Sequence, residues 1–223
     1  MTISIPLKDS IVKFRKILLN WYRSNKRRYP WRETDDPFKI IIAEIMLRRT
    51  KADQVQRVYN QLFTCYPSIK EIANADDGRL EKILYPLGLK WRSPTFKLLA
   101  REIVNKYGGE IPQSRDQLLL LPGVGDYVAG ALLSIAFNKR EWLVDSNIVR
   151  VYRRYFGIPT SKEGRRDKHV IAMSKEYVSC KNPRDANLAI LDFSAIICTP
   201  IKPRCTNCLM NNDCNYYKKD IQE

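Results

Sequence analysis

The run Leu121-Pro122-Gly123-Val124-Gly125 constrains this chain more than any other short stretch. It lies between an apolar segment, Leu118 to Leu120, and a long apolar helix expected from about Asp126 to Phe137. Two glycines two apart, each free to take a positive φ, make a tight turn that joins two helices as a hairpin. The turn opens onto a helix N-terminus, where unpaired amides can face an anion such as a DNA phosphate. Further on, Asp145 precedes a short amphipathic helix that ends near Gly157. Each feature also has a plain structural reading. A Pro-Gly-x-Gly run is commonly only a turn, and an aspartate before a helix is commonly an N-cap.

Charge narrows the partner. The chain has 39 Lys and Arg against 24 Asp and Glu, a formal charge of +15. Such an excess favours a polyanion, with binding that releases counterions and so weakens steeply as salt rises. No signal peptide is recognisable, and no apolar run approaches the roughly 18 residues of a membrane span. An intracellular protein of cytoplasm or nucleoid, with no membrane partner, is expected. Six cysteines in that compartment argue against a disulfide framework.

Hydrophobic spacing is helical nearly throughout, and no period-two strand stands out, so the fold class is all-α. A first helix is expected from Asp9 or Ser10 to Arg23, with Ile11, Phe14, Leu18 and Trp21 as its buried stripe. The basic aromatic loop Lys26 to Arg32 follows, with Trp31 tucked into the core. Asp35 or Asp36 can cap a helix that starts at Pro37, reads PFKIIIAEIMLRRT and is apolar on nearly all sides. Glu44 interrupts it, either satisfied by a nearby amide or arginine, or functional. Later helices are expected near Ala52–Cys65, Ser68–Ala73, Asp77–Leu84, Ser93–Tyr107, Asp167–Val178 and after Asn182-Pro183. His169, the single histidine, reads as packing or surface.

Near the C-terminus, Cys198-x6-Cys205-x2-Cys208-x5-Cys214 can bring four thiols to one place. From chemistry alone they suit a tetrahedral zinc or an iron–sulfur cluster. Lys202 and Arg204 stand within this loop, placed to meet phosphate. Cys65 and Cys180 lie outside it and are expected to be buried structural thiols.

Taken together, LPGVG, the following helix and VDSNIVRV resemble the helix-hairpin-helix, endonuclease III-like DNA glycosylase superfamily. The block PWRETDDPFKIIIAEIMLRRT resembles its branch of adenine and thymine mismatch glycosylases, and the cysteine spacing with DFSAIICTPIKPRC resembles its four-iron loop. The resemblance implies a two-lobed, all-α fold. A helical barrel domain with the hairpin would span 28–138, and 1–27 with 139–223 would form a helical domain carrying a [4Fe-4S] cluster on Cys198, Cys205, Cys208 and Cys214. It implies phosphate contacts at Gly123 and Gly125, a catalytic carboxylate at Asp145 and a base-pocket role for Glu44. Leu89 matches the residue that enters the duplex, with Arg48 and Arg49 approaching from the other side.

At those two positions the adenine branch has two glutamines, so Arg48-Arg49 points to the thymine/uracil·G mismatch branch. Tyr127 stands where bifunctional relatives carry a lysine, which implies a monofunctional glycosylase without strand cleavage. The expected partner is double-stranded DNA with a mismatched base, met by a monomer. Adenine excision opposite guanine or oxidised guanine is one alternative, disfavoured because the chain stops soon after Cys214, where adenine enzymes usually add a further domain. A non-catalytic, metal-stapled DNA-binding module is the other.

Overall fold

A computed structural model describes residues 8–88, 93–161 and 163–220. Among them are twelve α-helices and no β-strand. The chain divides into two compact units, Arg28–Phe137 and Met1–Arg27 with Asn138–Glu223.

The first of these units is built on two helices. Pro37–Met46 (α2) buries every residue from Ile40 to Met46, and Asp126–Ile135 (α8) buries every residue from Val128 to Ile135. Helices apolar all round have no solvent face to keep, so they occupy the interior, and these two pack on each other. Around them stand Ala52–Cys65 (α3), Ile69–Ala73 (α4), Asp77–Leu84 (α5), Ser93–Tyr107 (α6) and Arg115–Leu119 (α7). Local chemistry starts most of them. Asp36 Oδ1 accepts from the amides of Phe38 and Lys39, Ser68 and Glu71 form a reciprocal capping box, and Asp76 and Ser114 cap α5 and α7. Trp31 is buried, stacked on Tyr29 at 4.8 Å and edge-on to Tyr59.

The helix from Pro37 is shorter than its composition suggests. It ends at Met46, and Leu47 to Thr50 form a turn in which Arg49 adopts φ 60°. Thr50 Oγ1 donates to Leu87 O at 3.2 Å, and Gln54 Nε2 donates to Pro86 O. These tertiary bonds to a distant segment offset the roughly 1–2 kcal/mol that a left-handed non-glycine residue costs.

In the second unit, Lys8–Asn25 (α1) packs on Pro183–Ile196 (α11) and Lys168–Tyr177 (α10). Ser146–Phe156 (α9) packs on α11 and on Asn215–Asp220 (α12). Phe14 lies among Tyr152, Tyr155, Phe156 and Tyr177, with ring centroids between 4.7 and 6.2 Å away. Two buried charges are matched. Arg15 donates to the carbonyls of Glu176 and Tyr177 at the end of α10. Asp192, fully buried, accepts from the amide and Nε of Arg27. Cys65 and Cys180 are only half-buried, unlike the expectation, because each lies at the end of a packed segment rather than on its inner face.

Candidate active site

The hairpin is the turn between α7 and α8. Leu121 N bonds Leu118 O and Val124 N bonds Leu121 O, both at 3.1 Å. Its two glycines do different work. Gly123 has φ 79°, and a Cβ there would lie 2.6 Å from Thr95 Cγ2 and 3.8 Å from Ile45 Cδ1, so neither the backbone nor the space admits a side chain. Gly125 does not take a positive φ. It is the extended N-cap of α8 (φ −116°, ψ −178°), and a Cβ there would meet nothing within 4 Å. An N-cap needs extended backbone, which any residue adopts. What the missing side chain leaves is open approach to the helix start.

Around the hairpin stand two arginines. Arg48 Nη1 donates to Gly123 O at 3.3 Å, and Arg115 Nη1 donates to Asp126 O at 3.0 Å. Arg48 thus touches the hairpin backbone while staying exposed, and Arg49 beside it is exposed as well. Glu44 is 4 % exposed on α2 among the isoleucines, and Tyr127 is half-buried in the first turn of α8. Leu89 lies outside the described residues.

Asp145 is both an N-cap and the head of a hydrogen-bond chain. Its Oδ1 accepts from the amides of Asn147 and Ile148 at 2.9 and 2.8 Å, and its Oδ2 accepts from Asn147 Nδ2 at 2.6 Å. Asn147 Oδ1 accepts from Arg150 Nη1 at 2.8 Å. Arg150 then donates through Nε to Cys198 O at 3.0 Å and through Nη2 to Ser194 O at 2.9 Å. Charge-assisted bonds at both ends make this chain stiffer than neutral bonds would. Neither Asn147 nor Arg150 stood out in the sequence. Their helical spacing, on one face of α9 after Asp145, was the available signal.

The four clustered cysteines line one small pocket of about 30 Å³ with Val151, Phe193, Met210 and Tyr216. Arg154 grips the loop, donating to Thr199 O at 2.6 Å and Pro200 O at 3.1 Å, with Nη1 3.6 Å from Cys198 Sγ. Met210 N lies 3.4 Å from Cys208 Sγ. Burial pushes the Cys208 thiol up to about 11 and also raises Cys214, with the neighbouring cysteines adding to both. A cationic group in the pocket would reverse that and hold thiolates. Among the described residues no three such side chains converge closely enough for a single ion. Four thiolates can hold a tetrahedral zinc or, one per iron, an iron–sulfur cluster. The all-thiol donor set fits a cluster. Lys202 and Arg204 are exposed on the same loop, Lys202 with φ 53°.

Similarity to known proteins runs the length of the chain. Residues 42–184 match the model of the HhH-GPD superfamily base excision DNA repair protein. The thymine/uracil-DNA glycosylase of Methanothermobacter thermautotrophicus is 38% identical, over 96% of this chain and 99% of that protein. A solved structure of a thermostable thymine-DNA glycosylase superposes with a TM-score of 0.87, covering 95% of this chain and 98% of that one, also at 38% identity. The adenine DNA glycosylase of Rattus norvegicus is 32% identical over 94% of this chain, which spans 42% of that longer protein. With the all-helical fold, the glycine hairpin and the aspartate-capped α9 in place, the chain belongs to the HhH-GPD superfamily of base excision DNA repair proteins.

Proposed function

We infer that this base-excision DNA glycosylase removes thymine or uracil mispaired with guanine from double-stranded DNA, by hydrolysis and without cutting the strand. The observation that carries the substrate is the end-to-end similarity to a thymine/uracil-DNA glycosylase. Arg48-Arg49, in place of the paired glutamines of the adenine branch, supports it.

A base inside a duplex must be rotated out before its glycosidic bond can be reached. This costs roughly a few kcal/mol, and less at a mismatch, which already favours mispaired bases. Cleavage then builds positive charge on the sugar. The Asp145 carboxylate, fixed by three donors from Asn147 and Ile148, would stabilise that charge and orient the attacking water. Because those donors are already in place, the carboxylate need not reorganise as the charge appears. Glu44, in an apolar helix, would hydrogen-bond the extruded base or move a proton to it. At the position where an amine would attack the sugar stands Tyr127, and a phenol cannot form a Schiff base.

Gly123, Gly125, Lys202 and Arg204 would meet the DNA backbone, while Leu89 would enter the gap left by the base and Arg48 and Arg49 would approach it from the other side. Cys198, Cys205, Cys208 and Cys214 would hold the [4Fe-4S] cluster, which when bound supplies a cross-link that orders the loop. Its place in the reaction is structural.

The test is one single-turnover gel assay on duplexes holding T·G, U·G, A·oxidised G or thymine glycol, each with and without alkali. Base release from T·G and U·G, visible as strand breaks only after alkali, is expected. Preferred release of adenine would move the protein to the other branch, and no release from any duplex would leave a binding module.

A further inference from the structure

The sulfurs of the cysteine set do not share one kind of neighbour. Cys208 Sγ lies 3.4 Å from the amide of Met210, and Cys214 Sγ accepts from the amides of Tyr216 and Tyr217. Those donors are neutral. Cys198 Sγ instead meets a cation, Arg154 Nη1, at 3.6 Å. The same guanidinium donates to Thr199 O at 2.6 Å and to Pro200 O at 3.1 Å, and it lies 4.9 Å from the centre of the Tyr216 ring. At the backbone of that residue, Cys214 Sγ lies 3.4 Å from Arg154 O. One residue in the last turn of α9 therefore reaches the first and the last cysteine of the set, and the loop that follows the first. The helix dipole alone favours a cation in a last turn. That explanation serves Arg153 equally, yet Arg153 is exposed and Arg154 is half-buried against the loop.

We propose that Arg154 is a positioning residue for the iron–sulfur cluster: its forked grip holds the ligand loop closed on the metal, and its charge at the Cys198 sulfur makes an electron harder to remove from the bound cluster. The inference rests on the reading of the four cysteines as cluster ligands. Cys198 Sγ, Thr199 O and Pro200 O are consecutive along the chain, and a planar guanidinium presents donors in a fixed fork that can meet all three. An ammonium is a compact point charge on a flexible stem and cannot replace that fork. A loop pinned at the two residues after a ligand resists swinging that ligand away from iron. The charge acts separately. Iron–sulfur potentials follow net charge, hydrogen bonds to the sulfurs and exposure. A fixed cation beside one thiolate stabilises the electron-richer state, and the apolar lining of Val151, Phe193 and Met210 leaves that cation weakly screened.

The experiment uses the full chain purified anaerobically, with iron and zinc counted and circular dichroism confirming that each variant folds. Two quantities are read. One is the rate at which a chelator strips iron, followed by visible absorbance. The other is the one-electron midpoint potential at an electrode, which supplies and accepts the electron. Arg154→Gln removes both fork and charge. It should lose iron roughly tenfold faster, the size of one charge-assisted hydrogen bond. Its electron equilibrium should shift about tenfold toward the oxidised form, a midpoint lower by about 59 mV. Arg154→Lys keeps the charge and gives up the fork, so it should lose iron at an intermediate rate with the parent's potential. Arg153→Gln removes one exposed charge next door and should match the parent in both readings. Iron lost from Arg154→Gln at the parent's rate, or lost quickly at an unchanged potential, overturns the proposal. So does an Arg153→Gln shift as large as that of Arg154→Gln. Should Arg154→Gln fail to fold, the lysine variant decides: faster loss at the parent's potential supports the proposal, and the parent's rate overturns it. A parent chain that holds zinc and no iron fails the cluster reading itself, and the proposal falls with it.

Discussion

Replacing Gly123 by alanine tests how far the hairpin depends on one missing methyl group. Two costs arise from separate parts of the geometry. The residue has φ 79°, and holding an alanine in that left-handed region costs roughly 1–2 kcal/mol. The new Cβ would lie 2.6 Å from Thr95 Cγ2, so α6 or the turn must shift, an overpacking cost of about 1–3 kcal/mol. Together the loss should reach about 2–5 kcal/mol, a large share of the roughly 5–15 kcal/mol that holds a domain folded. Thr95→Ser removes the offending methyl. The double variant should regain the overpacking part and none of the backbone part, a coupling of about 1–3 kcal/mol in a double-mutant cycle. Gly125→Ala is the control, because its backbone is extended and the space beside it open. It should cost about 1 kcal/mol or less, the usual size of an N-cap effect. Urea unfolding followed by far-UV circular dichroism gives all four values. A Gly123→Ala loss under about 0.5 kcal/mol, or a Thr95→Ser change that recovers nothing, would refute the reasoning.

Four further outcomes are expected. Asp145→Asn should lower single-turnover excision by orders of magnitude while mismatch binding persists, since a transition-state contact is lost and phosphate contacts are not; near-normal excision rejects the assignment. Tyr127→Lys should gain borohydride trapping and strand cleavage, and efficient trapping by the unaltered chain would reveal another nucleophile. Protein purified anaerobically should be brown and hold about four irons, and one zinc without iron would exclude the cluster. Burial pushes the Tyr59 and Tyr155 phenols up to about 12. The folded chain thus keeps protons that the unfolded chain releases near ~10. Their contribution to stability should be full below pH ~10 and decline as pH rises towards ~12. Flat stability across that window would mean that the two rings are solvated.

Much of the fold is local chemistry and could be read from the chain. Asp36-Pro37, Ser68 with Glu71, Asp145, Asp167 and Asn182-Pro183 each start a helix where the sequence placed one, because a cap acts over two or three residues. The buried helix around Glu44 and the buried Trp31 follow equally from composition, since unbroken apolar faces have nowhere else to go. The four cysteines were legible as a set because their spacing is itself the signal.

Where long-range contacts compete with local preference, the sequence alone went astray. The helix from Pro37 stops before Arg48 because Thr50 and Gln54 bond a segment more than thirty positions away. Arg48 also finds the carbonyl of Gly123, seventy-five residues on, a partner that no local pattern announces. Of two glycines that look alike, only Gly123 needs its freedom, and the reason is a methyl group on Thr95. The path from Asp145 through Asn147 and Arg150 to Cys198 joins a cap to a loop forty-eight residues beyond Arg150. A cap, a period or a spacing is fixed by neighbours along the chain, so sequence determines it. The partner of a long cationic side chain depends on which backbone carbonyls packing brings within reach, and only the tertiary structure decides that.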